Sequence, residues 1–402
     1  MSIEQRFAAL ATDHAPGQEV RQVKGDIGNL MRGEKLPGRP VDFSHGDVDA
    51  FVPTPGSLDL FSEAVAIGGR QAYTEYRGSS DIREELAEKL ATFTGAPVEA
   101  EHGTIVTPGT QGALFLAVGS LVGAGDKVAI VEPDYFANRK LVRFFGGEVM
   151  PVAIDYLGES RAAGLDLADL RKAFEAGARV FLLSNPNNPT GTVYSRTEIE
   201  AIATLANEFG VTVIADQLYC RLLYQDETYT HIRAAGLAED RIVTVMGPSK
   251  TESLSGYRLG VAFGSPSIIE RMEKLQAIVS LRAAGYNQAV LRGWFREPDG
   301  WMDERVRQHQ AIRDDLLAIF REGGLPTRIS QAGSYLFPTL PPVGVAQHDF
   351  IRLLRHQAGV VVTPGSEFGP YPNSIRLNFS QDHAAAAAAG RRIVAMAERY
   401  RL

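Results

Sequence analysis

The chain has 402 residues, 45% of them hydrophobic and 22% charged, with a formal net charge of -7 at pH 7. That length exceeds what one hydrophobic core usually holds, so two domains are expected, and an acidic chain without a dense Lys/Arg block argues against a nucleic-acid partner. The single cysteine, Cys220, excludes an internal disulfide framework and a cysteine-based zinc cluster, and reads as a small buried hydrophobe.

The N-terminal stretch MSIEQRFAALATDHAPGQEV is polar and interrupted, and lacks the apolar core of a signal peptide. No run approaches the roughly 20 apolar residues needed to span a bilayer, so a cytoplasmic protein with no membrane association is expected. Residues 36–57 are rich in Pro and Gly and read as a connecting segment. In SSDIREELAEKLATF, Ile82, Leu86, Leu90 and Phe93 recur at helical spacing. KVAIV (127–131), RVFLLS (179–184), VTVIAD (211–216) and RIVTVM (241–246) are short β-rich runs bounded by turn residues. Between the second and third of these, SRTEIEAIATLANEFG opens with a capping box from Ser195 to Glu198 and closes at Gly210. This alternation predicts an α/β fold: a large domain with a mostly parallel sheet flanked by helices. After about residue 300 the texture changes to long amphipathic helices with few strands, including the alanine-rich stretch near 384–390. A smaller α+β domain is expected there, joined by the N-terminal segment. The expected division is 58–290 for the large domain and 1–57 with 291–402 for the small one.

Ligands of open parallel sheets bind beyond the carboxyl ends of the strands. Three runs end there in notable groups. RVFLLS leads into NPNNPTG with Asn188, VTVIAD ends in Asp216 with Tyr219 following, and RIVTVM leads into GPSK with Lys250. Each has a bland explanation alone, since Asn187 and Asn188 are good turn formers before Pro189 and Asp216 could cap a helix. Four such groups on one rim are harder to explain that way. In TPGTQGALFLAVGSL, Gly109, Thr110 and Gln111 precede an apolar helix, whose N-terminal N–H groups would favour a phosphate. Neither GxxxxGK[ST] nor a strand-linked GxGxxG is present, so neither a nucleotide P-loop nor a nicotinamide cofactor is supported. A lysine, a carboxylate, a hydrogen-bonding pair and a phosphate site around one small aromatic suit pyridoxal phosphate. Its aldehyde needs an amine, and its ring nitrogen needs a carboxylate to stay protonated.

The combination NNPTG, Asp-x-x-Tyr, Ser-Lys with Arg eight residues later, and a late IRLNFS resembles the class I/II aminotransferases of the fold-type I pyridoxal-phosphate enzymes. The resemblance covers most of the chain. It implies that Lys250 forms the Schiff base and that Arg258 and Ser249 hold the phosphate with Gly109, Thr110 and Gln111. It implies Asp216 as partner of the ring nitrogen, Asn188 and Tyr219 as donors to the phenolic oxygen, and Tyr135 in EPDYF as the stacked aromatic. Tyr73 in QAYTEYRG would reach the phosphate of a neighbouring subunit, which implies a homodimer with shared active sites. Gly46 in SHGDVDAF would lie beside the substrate with Asn188, and Arg376 would bind the substrate α-carboxylate. The implied activity moves the amino group of an α-amino acid to a 2-oxo acid, with Lys250, Asp216 and Tyr219 as the catalytic set and no metal. The pattern departs from the family at Gly247, where a serine or threonine is usual, at Gln217, where a glutamate is frequent, and at the Asp-Val-Asp after Gly46. Arg282 in SLRAAGYNQ could read an acidic substrate side chain, with His45 and Tyr76 as further candidates. A lyase, a decarboxylase or a cyclising synthase would use the same Lys250 and Asp216. The effector half of a transcription regulator on this fold would need a basic DNA-binding segment ahead of Gly46, and none is evident there.

Overall fold

A computed structural model describes residues 2–11, 27–46, 50–69 and 72–402. In chain order its strands are β1 (Val41–Asp42), β2 (Thr104–Pro108), β3 (Lys127–Glu132), β4 (Glu148–Ala153), β5 (Ala178–Ser184), β6 (Thr212–Asp216), β7 (Ile242–Met246), β8 (Leu259–Gly264), β9 (Tyr335–Leu336), β10 (Val360–Val361), β11 (Thr363–Pro364) and β12 (Ile375–Asn378). Seven of them form a central sheet in the order β2-β8-β7-β6-β5-β3-β4. Strands β3 to β7 run parallel, while β8 is antiparallel to both β2 and β7. The α/β architecture with a mostly parallel sheet is therefore as expected, with one reversed strand.

Both faces of the sheet are buried, which is why its strands read as continuous apolar runs. Along β5, Phe181 and Leu183 enter one core while Val180 and Leu182 enter another on the opposite face. The same split divides Val213 and Ala215 from Ile214 in β6. Strand β4 escaped the sequence reading because Pro151 interrupts it. A proline cannot donate to a ladder, and β4 lies at the sheet edge, where that is tolerated.

A separate core lies beyond the sheet. It joins Ile27, Val41, Phe43 and Phe51 to Leu316, Phe350, Val360, Leu377 and Ile393. The connecting segment contributes directly, since β1 pairs in parallel with β10. Strands β11, β12 and β9 form a small antiparallel sheet beside it. The alanine-rich stretch lies in the helix His383–Tyr400, as expected. No described helix is long and apolar enough to cross a membrane.

The capping box of the helix Arg196–Phe209 is present: Ser195 accepts from Glu198 N–H, and the Glu198 carboxylate accepts from Ser195 N–H at 2.7 Å. Glu198 also accepts from the backbone N–H groups of Ala163 at 3.1 Å and Leu165 at 3.0 Å. It thereby fastens the loop 163–165 to the helix. Glu198→Ala strands buried donors on both segments, and unfolding by urea is expected to show a loss of about 2 to 4 kcal/mol. Glu198→Gln, which keeps an acceptor, should lose less.

Candidate active site

Strands β5, β6 and β7 end side by side at Ser184, Asp216 and Met246. Asp216 is buried, and its carboxyl accepts from Leu218 N–H at 3.1 Å. Burial disfavours its anion and raises its pKa to about 6. Asp134, just after β3, is buried beside it. Ser184 N–H donates to Asp134 Oδ2 at 2.9 Å, and the Ser184 hydroxyl donates to Oδ1. Burial, with the Asp216 charge as a minor addition, raises the Asp134 pKa to about 7. The Ser184 hydroxyl in turn accepts from Asn188 N–H at 3.2 Å. Asn187 donates to Pro133 O at 3.0 Å and accepts from the Thr190 hydroxyl at 2.7 Å. The NPNNPTG turn is thus fixed from within, which holds Asn188 on the rim.

Tyr135 forms one wall, its hydroxyl donating to Gln111 Oε1 at 3.0 Å. Tyr219 faces Tyr335 of β9, with hydroxyl oxygens 2.5 Å apart. Arg376 of β12 is buried, and its guanidinium lies 4.6 Å from the Tyr335 ring and 5.0 Å from that of Phe368. Its Nη1 donates to Asn188 Oδ1 at 3.3 Å, and Nη2 donates to Ser44 O at 2.9 Å and Thr363 Oγ1 at 3.3 Å. These acceptors are all neutral, and Arg376 Nε is buried without a hydrogen-bond partner among the described residues.

The third corner is the start of the helix Gly109–Leu121, with Thr110 and Gln111 in its first turn. Arg258, itself in a left-handed conformation, lays its guanidinium against Gly109. Gly109 has φ 77°, and a Cβ there would sit 2.6 Å from Arg258 Nη2. Glycine is therefore required by both conformation and contact. The Ser249 hydroxyl donates to Leu259 O at 3.3 Å. These groups surround a cavity of about 290 Å³ lined by Thr110, Gln111, Tyr135, Asn188, Asp216, Tyr219, Ser249, Lys250, Arg258, Tyr335 and Arg376. A second cavity of about 460 Å³ contains Gly46 and shares His45, Ser249, Lys250, Ser255 and Asn378 with the first. Lys250 stands where the two meet.

Tyr73 lines neither cavity; it is 76% exposed, and Arg282 lies 5.0 Å from its ring. Arg282 also packs over Tyr76 and donates to Thr74 O, so in this chain it is engaged locally rather than at the cleft. Gln217 is buried against His231 Nδ1 at 3.0 Å. The Asp-Val-Asp after Gly46 lies outside the described residues. Sequence reasoning missed Tyr335, Ser184, Thr363 and Ser44, which carry no motif of their own. It also missed Asp134, although that residue adjoins Tyr135 in the quoted EPDYF.

The glycine at 247 has a steric cause. A Cβ there would lie 2.9 Å from Thr110 Cγ2 and 3.1 Å from Leu259 O. Gly247→Ser should therefore destabilise the protein by about 1 to 3 kcal/mol in thermal unfolding, with part of the loss recovered by adding Thr110→Gly. Asp216 supplies a second expectation, for the cofactor-free protein. A carboxyl whose folded-state pKa lies above its unfolded value binds its proton more tightly when native. Its contribution is therefore full below the unfolded pKa near 4 and is lost as pH rises through about 6. Asp216→Asn should be more stable than the parent at pH 8, by up to about 3 kcal/mol, with the gap closing toward pH 4. Urea unfolding across that range measures it.

Comparison with known proteins agrees with this arrangement. Residues 41–393 match the family Aminotransferase class I and II. The chain is 31% identical to the aspartate/prephenate aminotransferase of Thermus thermophilus over 331 residues, covering 81% of this chain and 83% of that one. A crystal structure of an aspartate aminotransferase from Rhodobacter sphaeroides superposes with a TM-score of 0.94 at 63% identity, covering both chains in full. The aspartate aminotransferase of Thermus thermophilus with maleate superposes at 0.83 with 25% identity, covering 98% of this chain and 100% of that one. A polar cleft at the strand ends, a lysine between two cavities and a match across nearly the whole chain lead to one conclusion: the chain belongs to the class I and II aminotransferase family and transfers the amino group of an amino acid to a 2-oxo acid.

Proposed function

We propose that the smaller cavity holds pyridoxal phosphate, the cofactor of the family, and that the substrate amino acid enters beside Arg376. The observation that carries this reading is a pair of buried, opposite charges that do not meet. Asp216 is a carboxyl in an interior that disfavours its anion, and Arg376 is a buried guanidinium whose acceptors are neutral. A cationic ring nitrogen offsets the first and an anionic carboxylate the second. The group fits the residues present.

When bound, pyridoxal phosphate supplies an aldehyde that condenses with a primary amine and a protonated ring that withdraws electrons from the bond being broken. The chain's own residues do the rest. The N–H groups of Gly109, Thr110 and Gln111 take the phosphate with Ser249 and Arg258. Asp216 keeps a proton on the ring nitrogen. Asn188 and Tyr219 donate to the phenolic oxygen, and the Tyr335 hydroxyl fixes where the Tyr219 hydroxyl points. Tyr135 provides the aromatic wall. Arg376 takes the α-carboxylate with its guanidinium, for which its planar fork is suited. Gly46 lets the backbone approach the substrate, and Lys250 Nζ moves the proton from the substrate α-carbon.

The named relatives further support an acidic amino acid such as aspartate as donor. Tyr73, exposed with Ile67 and Ile278, supports a homodimer in which Tyr73 reaches the partner's phosphate site. The chain is read as a large unit, residues 58–290, and a smaller one from 1–57 and 291–402, working in the cytoplasm. The core that joins Val41 and Phe43 to Leu377 supports that division.

The visible spectrum of purified protein tests the reading. Aspartate alone should bleach the cofactor absorbance and yield one equivalent of oxo acid. Ammonia or carbon dioxide accumulating without an acceptor would instead indicate elimination or decarboxylation. Lys250→Ala should lower the transamination rate by at least about a hundredfold. A rate near that of the parent would refute the assignment of Lys250.

A further inference from the structure

Two residues after Tyr219 the chain carries Arg221, and two residues after Lys250 it carries Glu252. The two side chains form an ion pair in the interior, Arg221 Nη1 donating to Glu252 Oε1. Arg221 also grips Glu297 with both terminal nitrogens, at 2.8 and 2.9 Å. Trp294 Nε1 donates to Glu252 Oε1 at 3.1 Å, and the Phe295 ring lies 4.1 Å from the guanidinium. The side chains of Arg221, Glu252 and Glu297 are 10%, 2% and 6% exposed. None of the three lines either cavity, so none acts on substrate directly.

Two carboxylates sharing one guanidinium is a costly set to bury, even with the Arg305 charge near Glu252. Glu297 takes both terminal nitrogens of Arg221 and Glu252 only one, and Glu252 sits in the turn that carries Lys250. That turn needs to be held. Ser253 has a left-handed backbone, φ 56°, which a non-glycine residue adopts only when its surroundings impose it. Arg305 Nη1 donates to the Ser253 hydroxyl at 3.0 Å, and Thr54 N–H donates to Glu252 O at 3.1 Å. Those contacts tie the turn to the helix Trp301–Glu322 and to the chain ahead of the helix Ser57–Ile67. The Arg221–Glu252 pair ties it to the turn after β6, which carries Asp216 and Tyr219.

We infer that the Arg221–Glu252 ion pair is a positioning device for transamination, setting the Lys250 amine relative to Asp216 and Tyr219. The inference rests on the proposed role of Lys250. Each charged group is two residues from the group it positions, so a shift at the pair passes along a short, hydrogen-bonded turn. A displacement of about 1 Å at a reacting amine is enough to slow a reaction strongly.

Glu252→Met tests it, because methionine fills a similar volume, leaves Arg221 and Glu297 as a balanced pair and cuts the link. The holoenzyme should lose roughly tenfold or more in kcat with KM within about twofold. The rate at which added pyridoxal phosphate develops its protein-bound visible absorbance in the cofactor-free protein should fall in parallel. The melting temperature of that cofactor-free protein should change little, since Arg221 keeps both bonds to Glu297 and a buried carboxylate has been removed. Glu252→Gln keeps an acceptor for Arg221 and Trp294 and should restore kcat to within about threefold of the parent. Parental kcat and incorporation rate in Glu252→Met, or equal losses in both variants, would overturn the inference. Should Glu252→Met not fold, Glu252→Asp decides in its place. It keeps the charge but draws the carboxylate back by one methylene, so slower turnover at unchanged KM supports the device and parental turnover overturns it. Lys250→Ala run in parallel must leave no cofactor covalently attached after borohydride reduction; if it retains attached cofactor like the parent, the reading of Lys250 has failed rather than that of the pair.

Discussion

Asp216 is a carboxyl placed where its own charge is disfavoured, and the cleft is organised around that constraint. The end of β6 lies between β5 and β7 in a sheet buried on both faces, so the anion is poorly solvated. Asp134 adds a second buried carboxyl, satisfied by Ser184 and by Tyr135 N–H. Two such groups side by side give the strand ends a standing demand for a cation. Neither arginine of the cleft pairs with Asp216. Arg258 lies over Gly109, and Arg376 is spent on neutral acceptors. The cleft therefore keeps its charges apart, which suits a ligand carrying both signs.

This separation depends on two cores meeting. Arg376 and Tyr335 belong to the small sheet of β11, β12 and β9, whereas Asn188, Asp216 and Tyr219 follow strands of the large one. Their contacts cross from one to the other: Arg376 with Asn188, and Tyr335 with Tyr219. Ser44, which accepts from Arg376, comes from the N-terminal segment next to β1, and β1 is held by β10. Both ends of the chain must be in place before Arg376 is aimed. Loosening the core around Phe43 and Leu377 would thus reach the cleft without touching a residue that lines it.

Much of this was legible in the residues because the signals were local. The capping box at Ser195 and Glu198 depends on two residues three positions apart in one turn. The strands β3, β5, β6 and β7 stood out as short apolar runs because both their faces are buried. Strand β4, broken by Pro151, and β2 and β8, which end in or are flanked by Pro and Gly, carry weaker versions of the same signal. The glycine at 247 looked like a missing hydroxyl. It is a packing solution, since the Thr110 methyl group lies where a side chain at 247 would have to go. That relation spans more than a hundred positions and has no periodicity to betray it.

Composition and pattern by themselves determined the α/β class, the strand ends as the place for chemistry, and Asp216, Tyr219, Asn188 and Lys250 as the residues to watch, while Arg258 and Arg376 came from the family resemblance. What pattern determined follows from neighbours a few positions away, where backbone preference and burial periodicity operate. Only the tertiary structure decided that Tyr335 answers Tyr219, that Arg376 lacks a carboxylate partner among the described residues, and that Arg282 is engaged by Thr74, Tyr73 and Tyr76. Hydrogen bonds and charge compensation depend on distances of a few ångströms between residues far apart in the chain, and packing alone sets those distances.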